Sequence, residues 1–391
     1  RNISMLMDFY EMTMAHGYFT KQEEMDRVAF DVFFRRNPDK GGFAIFGGLE
    51  QIVEYILNLH FDERDIAYLR DQGIFSDEFL DYLKDFSFKG DVYAFPEGSI
   101  IYPNEPVITI VAPLIDAQIV ETAVLTMMNH QSLIATKANR IVRAADGRVV
   151  ADFGARRAHN VDAAVYGARA AYIGGVGSTA TVLAGQQFGI PVSGTMAHSW
   201  VMYYGSEYDA FKAYAEVYPD NAVFLVDTYD VLNSGVPNAI QVAKDVLEPM
   251  GKRLKGIRLD SGDLAYLAKK ARCMLDDAGL EDCKIMASNS LDEYTIKSLL
   301  LQGGPIDIFG VGERLITSKS DPVFGAVYKI ASIEKDGKWE PRIKISEAVE
   351  KITNPGLKKV YRVYNEKGRA IADLMTLLRE VPDTEEPYRY I

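Results

Sequence analysis

The sequence predicts an α/β protein, a (β/α) barrel joined to a second, discontinuous α/β (α+β) domain built from the N-terminal and C-terminal parts of the chain. Three observations predict it. From about Arg148, short apolar stretches alternate with helix-like ones at a spacing of roughly 20 to 35 residues, the size of a βα unit. Before that point, and again after about Gly325, the rhythm is different and richer in β-branched and aromatic runs. Almost every strand of the middle region also ends in polar or glycine residues, and in a barrel such ends share the rim where catalytic groups gather.

In the middle region, residues 149–151, 171–173, 190–192, 223–226, 256–259, 284–286 and 306–309 read as strands. Residues 161–170, 237–250, 264–277 and 291–301 read as helices between them. A run of such units without reversal favours a closed or nearly closed barrel, with a doubly wound open sheet as the alternative. Towards the N-terminus, residues 28–34, 91–95 and 106–111 are short, β-branched and aromatic, so they read as strands. Residues 48–58 and 62–86 read as helices, the second placing Ile66, Leu69, Leu80 and Leu83 inward. Beyond Gly325, residues 326–330, 341–345 and 360–364 read as strands, with Asn365-Glu-Lys-Gly368 as a hairpin turn. The tail is expected to return to the first domain, giving boundaries at 1–120, 121–325 and 326–391.

Bulk properties narrow the function. A chain of 391 residues is long enough for two domains, and 48% apolar with 25% charged residues is ordinary for a filled core. The net charge of −12 argues against a nucleic-acid surface but leaves room for a small anion bound by converging arginines. Only Cys273 and Cys283 occur, outside any C-x-x-C motif, and no apolar run approaches a membrane span. The expectation is a cytosolic enzyme without membrane or nucleic-acid partners.

The strand ends carry the chemistry. His198 follows the stretch ending at Thr195; a lone histidine is most often structural, but one held at a rim presents a nitrogen as nucleophile or base. Arg258-Leu-Asp-Ser-Gly-Asp263 sets a cation and two carboxylates at one strand end. Alternation puts Arg258 and Asp260 on the same face, a buried ion pair or a guanidinium poised for a carboxylate or phosphate. Gly175-Val-Gly-Ser-Thr-Ala180 is a weak match to a dinucleotide loop, lacking the acidic residue that should follow. Gly310-Val-Gly-Glu-Arg-Leu-Ile-Thr317 is either a tight turn or a phosphate loop, with Gly310 and Gly312 amides and the Thr317 hydroxyl as donors. Ser288-Asn289-Ser290 ends another strand and is placed on the phosphate side with it. Arg35, Arg36, Lys137, Arg140, Arg156 and Arg157 could neutralise a diphosphate. No Walker loop, zinc-binding histidine pattern or G-x-S-x-G elbow is present, so no metal ligand set is assigned by side-chain motif.

Taken in order, Met7-Asp-Phe-Tyr-Glu-Met-Thr-Met14, Phe30-Asp-Val-Phe-Phe-Arg-Arg-Asn-Pro38, Asp152-Phe-Gly-Ala-Arg-Arg157, Gly194-Thr-Met-Ala-His-Ser199, Ile257-Arg-Leu-Asp-Ser-Gly-Asp263 and Phe309-Gly-Val-Gly312 resemble the nicotinate phosphoribosyltransferases. The resemblance runs from about residue 7 to 330 and implies a type II phosphoribosyltransferase fold, an irregular barrel plus an α/β domain, assembled as a homodimer with shared active sites. It implies that His198 is phosphorylated by ATP and that Asp260 acts beside it. Tyr10, from the partner subunit, Phe153, Arg156, Thr195 and Arg258 are implied to bind nicotinate. Thr317 is implied to touch 5-phosphoribosyl 1-diphosphate, with Mg²⁺ accompanying that substrate and ATP. Sister enzymes acting on nicotinamide carry an aspartate after the second barrel strand; here Gly177-Ser-Thr-Ala-Thr181 has no carboxylate, as suits an acid substrate. The implied activity is formation of nicotinate mononucleotide and diphosphate in NAD biosynthesis, a salvage of nicotinate.

Overall fold

The computed structural model describes residues 2–21, 25–348, 351–382 and 388–390. The chain divides into two compact units, residues 1–133 with 323–391, and residues 134–322. The first boundary falls inside the helix Glu121–Ala144 rather than at residue 120, because that helix continues without a break through the change of unit.

In the first unit, the strand Arg27–Phe33 lies between Val327–Lys335 and Ile108–Pro113, antiparallel to both. Asp91–Ala94 and Lys338–Pro341 complete a five-stranded sheet. Its central strand is buried at almost every position, so Val28, Phe30 and Val32 pack into a core with Phe34, Phe46, Phe79 and Tyr328. Phe30 and Tyr328 stack at 4.7 Å, which joins the C-terminal stretch to the N-terminal strand through packing as well as ladder bonds. The segment read as one helix over 62–86 is two, Glu63–Asp71 and Asp77–Lys84. Gly73 adopts φ +69° and the Ser76 hydroxyl accepts the Phe79 amide, so one helix ends and the next is capped within five residues. The strand expected at 341–345 instead ends at Pro341. Asn365 and Gly368 do form the hairpin turn, between Lys358–Tyr364 and Ala370–Leu377.

The second unit is built on a six-stranded parallel sheet. Its spatial order is Ser178–Thr179, Val149–Asp152, Ile308–Val311, Lys284–Ser288, Gly256–Leu259 and Val223–Leu225. Short strands of Val, Ile, Leu and Phe buried on both faces are what a helix-covered parallel sheet requires. Among the described residues, the two outer strands do not pair with each other, and a single bridge from Thr179 to Val192 extends the edge. The result is an irregular barrel with a seam. Residues 171–173, read as a strand, are the last turn of the helix Val161–Ile173, and 190–192 contribute only that bridge. The Gly175 motif therefore follows a helix, and Gly175 (φ +103°) serves as its exit turn rather than as a dinucleotide loop.

After the Val223–Leu225 strand come a π-helical turn at Val231–Gly235 and the α-helix Val236–Val242, and the helix expected over 237–250 goes on from there as a π-helical turn at Ala243–Leu247 and a 3-10 turn at Glu248–Met250. At Gly235 a Cβ would sit 1.9 Å from the Val226 carbonyl oxygen. The backbones touch there, directly behind Asp227 and Thr228. Gly235→Ala should therefore destabilise the protein by about 3 kcal/mol or more. Denaturant unfolding checks this, and an unchanged midpoint would show that the two segments separate easily.

Candidate active site

At the carboxyl-terminal ends of the parallel strands, register decides which side chains meet. Arg258 lies opposite Met286, and Leu259 opposite Ala287, so one residue further on Asp260 falls beside Ser288. Ser288 in turn lies opposite Gly310. The outcome is a fixed guanidinium. Arg258 donates from Nε to Ser288 Oγ (2.8 Å), from Nη2 to Asp260 Oδ1 (2.8 Å) and from Nη1 to Thr195 Oγ1 (3.2 Å). Ser288 donates its own hydroxyl to Asp260, closing a triangle. One N–H on each terminal nitrogen is left over for a ligand. The Arg258 side chain is 16% exposed, enough to receive a planar anion from one side only.

The Phe153 ring covers this group, with the guanidinium carbon 5.3 Å from its centroid. The ring has room because Gly310 lacks a side chain; a Cβ there would meet Phe153 Cε2 at 2.6 Å. Gly310→Ala should therefore push the ring off Arg258 and raise the requirement for an aromatic acid substrate about tenfold, read as KM; an unchanged KM would separate the ring from recognition. Gly312 lies 3.1 Å, by the same measure, from the Phe153 carbonyl oxygen. Behind the ring, Asp152 is 1% exposed and accepts the Gly154 amide (2.8 Å) and the Thr179 hydroxyl (2.7 Å). Burial raises its pKa, while those two hydrogen bonds oppose the shift. A carboxyl so enclosed shapes the 153–154 turn; the 177–181 stretch touches it through Thr179 without presenting a carboxylate of its own.

His198 opens the short helix His198–Tyr204. Its Nδ1 lies 3.1 Å from Thr228 Oγ1, and its Nε2 faces Asp260 Oδ2 at 3.8 Å and Asp227 Oδ1 at 4.0 Å. Two carboxylates beside Nε2 favour the proton there, which leaves the lone pair on Nδ1. Asp227 is held rigidly, accepting the Asp260 amide (3.1 Å) and the Ser261 hydroxyl (2.5 Å) on Oδ2. Asp227 and Thr228 were visible only as a polar strand end, with no motif to mark them. The signal was positional: their strand pairs Leu225 with Arg258, which puts the following residues beside Asp260.

The structure thus joins His198, Thr195, Arg258, Asp260, Ser288, Phe153 and Gly310 into one cluster. Asn289 continues from Ser288 with φ +83°, a left-handed conformation that turns the chain sharply at the strand end. Thr317 caps the short helix Glu313–Ile316 and donates to the Glu313 carbonyl (2.7 Å). Arg156 lies exposed on the turn Ala155–Arg157. Lys137 is placed differently from the sequence expectation. It is 2% exposed, with Nζ on Glu293 (2.8 Å) and Ser320 (2.8 Å), so it has no surface to offer a diphosphate. Arg140 shares Glu293 (3.0 Å) and reaches the Tyr294 hydroxyl (3.3 Å). Tyr10 belongs to the first unit, on the helix Phe9–Lys21, and the residue is 44% exposed.

A parallel α/β sheet with a caged arginine, a histidine and two carboxylates at its strand ends defines an enzyme built to gather small anions. Models of the nicotinate phosphoribosyltransferase N-terminal domain, family and C-terminal domain match residues 5–129, 149–367 and 357–391. The chain is 51% identical over 367 residues to the nicotinate phosphoribosyltransferase of Bacillus subtilis, covering 93% of this chain and 74% of that one. It is 45% identical to a Mycobacterium tuberculosis enzyme of the same name, covering 92% and 75%. The crystal structure of human nicotinic acid phosphoribosyltransferase superposes with a TM-score of 0.83 at 29% identity, covering 96% of this chain and 82% of that one. The chain belongs to the nicotinate phosphoribosyltransferase family. Among the described residues, no helix is long and apolar enough to cross a membrane.

Proposed function

We propose that the chain joins nicotinate to 5-phosphoribosyl 1-diphosphate, forming nicotinate mononucleotide and diphosphate in NAD biosynthesis, and couples this to ATP hydrolysis through a phosphohistidine at His198. The caged guanidinium of Arg258 beneath the Phe153 ring is the observation that carries it. A pyridine carboxylate offers that pair both an anion and an aromatic face. Thr195 steers the same guanidinium, and Arg156 supplies positive charge at the mouth. Ser288, Asn289, Gly310, Gly312 and Thr317 take the phosphoribosyl side. Lys137, buried against Glu293, acts through that carboxylate, and Arg140, which shares Glu293 from a more open position, takes the phosphoribosyl side.

The reaction follows from charge. The pyridine nitrogen attacks the anomeric carbon as the bond to diphosphate breaks, so positive charge grows on the sugar and negative charge on the leaving group. In the coupling step His198 Nδ1 attacks the γ-phosphorus of ATP and ADP departs; after ribosyl transfer, water releases the phosphate and restores the imidazole. Phosphorylation adds about −1.5 to −2 charge beside Asp227 and Asp260, reorganising the pocket around the phosphoribosyl donor. The carboxylates also suit Mg²⁺. Asp227 Oδ1 is buried without a hydrogen-bond partner, and hard carboxylate oxygens with substrate phosphates are the donor set that cation prefers. Asp227 and Asp260 would hold it, and it would neutralise charge on the departing diphosphate.

The exposed apolar residues Leu6, Phe9, Tyr10 and Met14 support a homodimer in which Tyr10 reaches the nicotinate ring of a partner. The cytosol is the proposed compartment. Continued release of ADP, beyond the one equivalent that phosphorylates His198, should require nicotinate and the phosphoribosyl donor together. ADP release at the same rate without nicotinate would break the proposed coupling.

A further inference from the structure

Glu11, next to Tyr10, is fully buried although it carries a carboxylate. Its Oε1 gathers donors from two helix starts. The Asp8 amide (3.2 Å) comes from the entry to its own helix, Phe9–Lys21. The Thr122 amide (3.2 Å) and the Thr122 hydroxyl come from the first turn of Glu121–Ala144. The Asp8 amide also points to Thr122 Oγ1 (3.2 Å), so the two helix starts are tied together twice. One residue back in each helix, burial and the nearby Glu121 carboxylate raise the Tyr10 pKa, and Glu121 itself accepts from Gln118 Nε2 at 3.2 Å. Residues 10 and 11 are thereby matched to residues 121 and 122.

We propose that Glu11 is a positioning residue for substrate recognition, clamping the start of the Phe9–Lys21 helix onto Thr122 so that the Tyr10 ring is presented in one orientation. The idea rests on the reading of Tyr10 as a nicotinate contact. Two donors from Thr122 and one from Asp8 converge on a single buried oxygen, an arrangement that costs the burial of a carboxylate and that core packing alone does not need. An ionised carboxylate accepts amide protons more strongly than a neutral acid does, but burial opposes the charge. The titratable groups facing Glu11 are Asp8 and Tyr10 on its own segment, Glu121 on the neighbouring helix, Tyr55 on Leu49–Leu57 and Tyr328 on Val327–Lys335. None of these is cationic, so burial dominates and pushes the Glu11 carboxyl up to about 7, against the lowering effect of the Thr122 and Asp8 hydrogen bonds. Because the clamped carboxyl holds its proton more firmly than a free one, protonation favours the clamp, which is tightest below that value and loosens as the pH rises through it.

Steady-state kinetics of the full-length enzyme test this with Glu11→Gln, Thr122→Val and Tyr10→Ala, from about pH 6 to about pH 8. Thr122→Val should raise the KM for nicotinate about fivefold while kcat stays within about twofold. Glu11→Gln keeps the shape and removes the titration. Its KM should match that of the parent at pH 6 and lie below it at pH 8, where the parent carries a buried charge, whereas a purely structural role would shift neither the ratio nor its pH dependence. If Tyr10→Ala raises the KM but Thr122→Val and Glu11→Gln leave it flat, the clamp is overturned and the Tyr10 contact survives. If Tyr10→Ala itself leaves the KM unchanged, the Tyr10 reading fails first, and the clamp has nothing to position.

Discussion

Replacing His198 with alanine should abolish incorporation of label from γ-phosphate-labelled ATP and remove the stimulation of product formation by ATP. The side chain is 41% exposed, so its loss opens no cavity in the core, and the fold should be retained. What disappears is the imidazole between Thr228 and the Asp227–Asp260 pair, the proposed nucleophile. Ribosyl transfer itself needs no imidazole in the proposed scheme, so a slow ATP-independent rate should persist at high donor concentration. Energetic coupling between two ligands is commonly about 1–3 kcal/mol, and the affinity gain for the phosphoribosyl donor on adding ATP should fall by the corresponding factor, about 5- to 150-fold. Label retained by the alanine variant would identify another acceptor.

Replacing Arg258 with lysine should raise the KM for nicotinate about ten- to a hundredfold, equivalent to about 1.4–2.8 kcal/mol. Lysine keeps the charge but cannot satisfy Ser288, Asp260 and Thr195 while also turning two N–H groups toward a carboxylate. Asp260, released from its partner, would then repel the acid substrate it formerly helped to bind. A smaller effect on kcat separates this from the His198 variant. If the nicotinate KM stays at the parent value, recognition of the carboxylate lies elsewhere, and Arg156 becomes the first residue to examine.

The sequence was most readable where local chemistry agreed with tertiary structure. The helix Leu264–Asp277 was legible in full because Asp263 caps it, its carboxylate accepting the Tyr266 amide at 3.1 Å. The Gly256–Leu259 strand and its polar end were equally plain, and with them Arg258 and Asp260. The outer edge of the sheet was not. Ser178–Thr179 is a two-residue strand without an apolar run, whereas Ala171-Tyr-Ile173 looks β-like yet ends a helix whose alanines pack inward. The break near Gly73 was signalled by a glycine and a serine inside an otherwise helical pattern, a signal outweighed by the periodicity of Ile66, Leu69, Leu80 and Leu83. Within the site, Asp227 and Thr228 needed strand register to be placed. Lys137 carries a charge suited to phosphate, and its burial against Glu293 had no mark in the sequence.

The central claim is that the caged Arg258 and the Phe153 ring select a pyridine carboxylate for ribosyl transfer. Incubating the enzyme with the phosphoribosyl donor, ATP and an equimolar mixture of nicotinate, nicotinamide and quinolinate, then identifying the products by mass, tests it most directly. Nicotinate mononucleotide should be the dominant product. Preferential formation of the nicotinamide nucleotide would contradict this, because a neutral amide cannot accept both remaining guanidinium N–H groups as a carboxylate does.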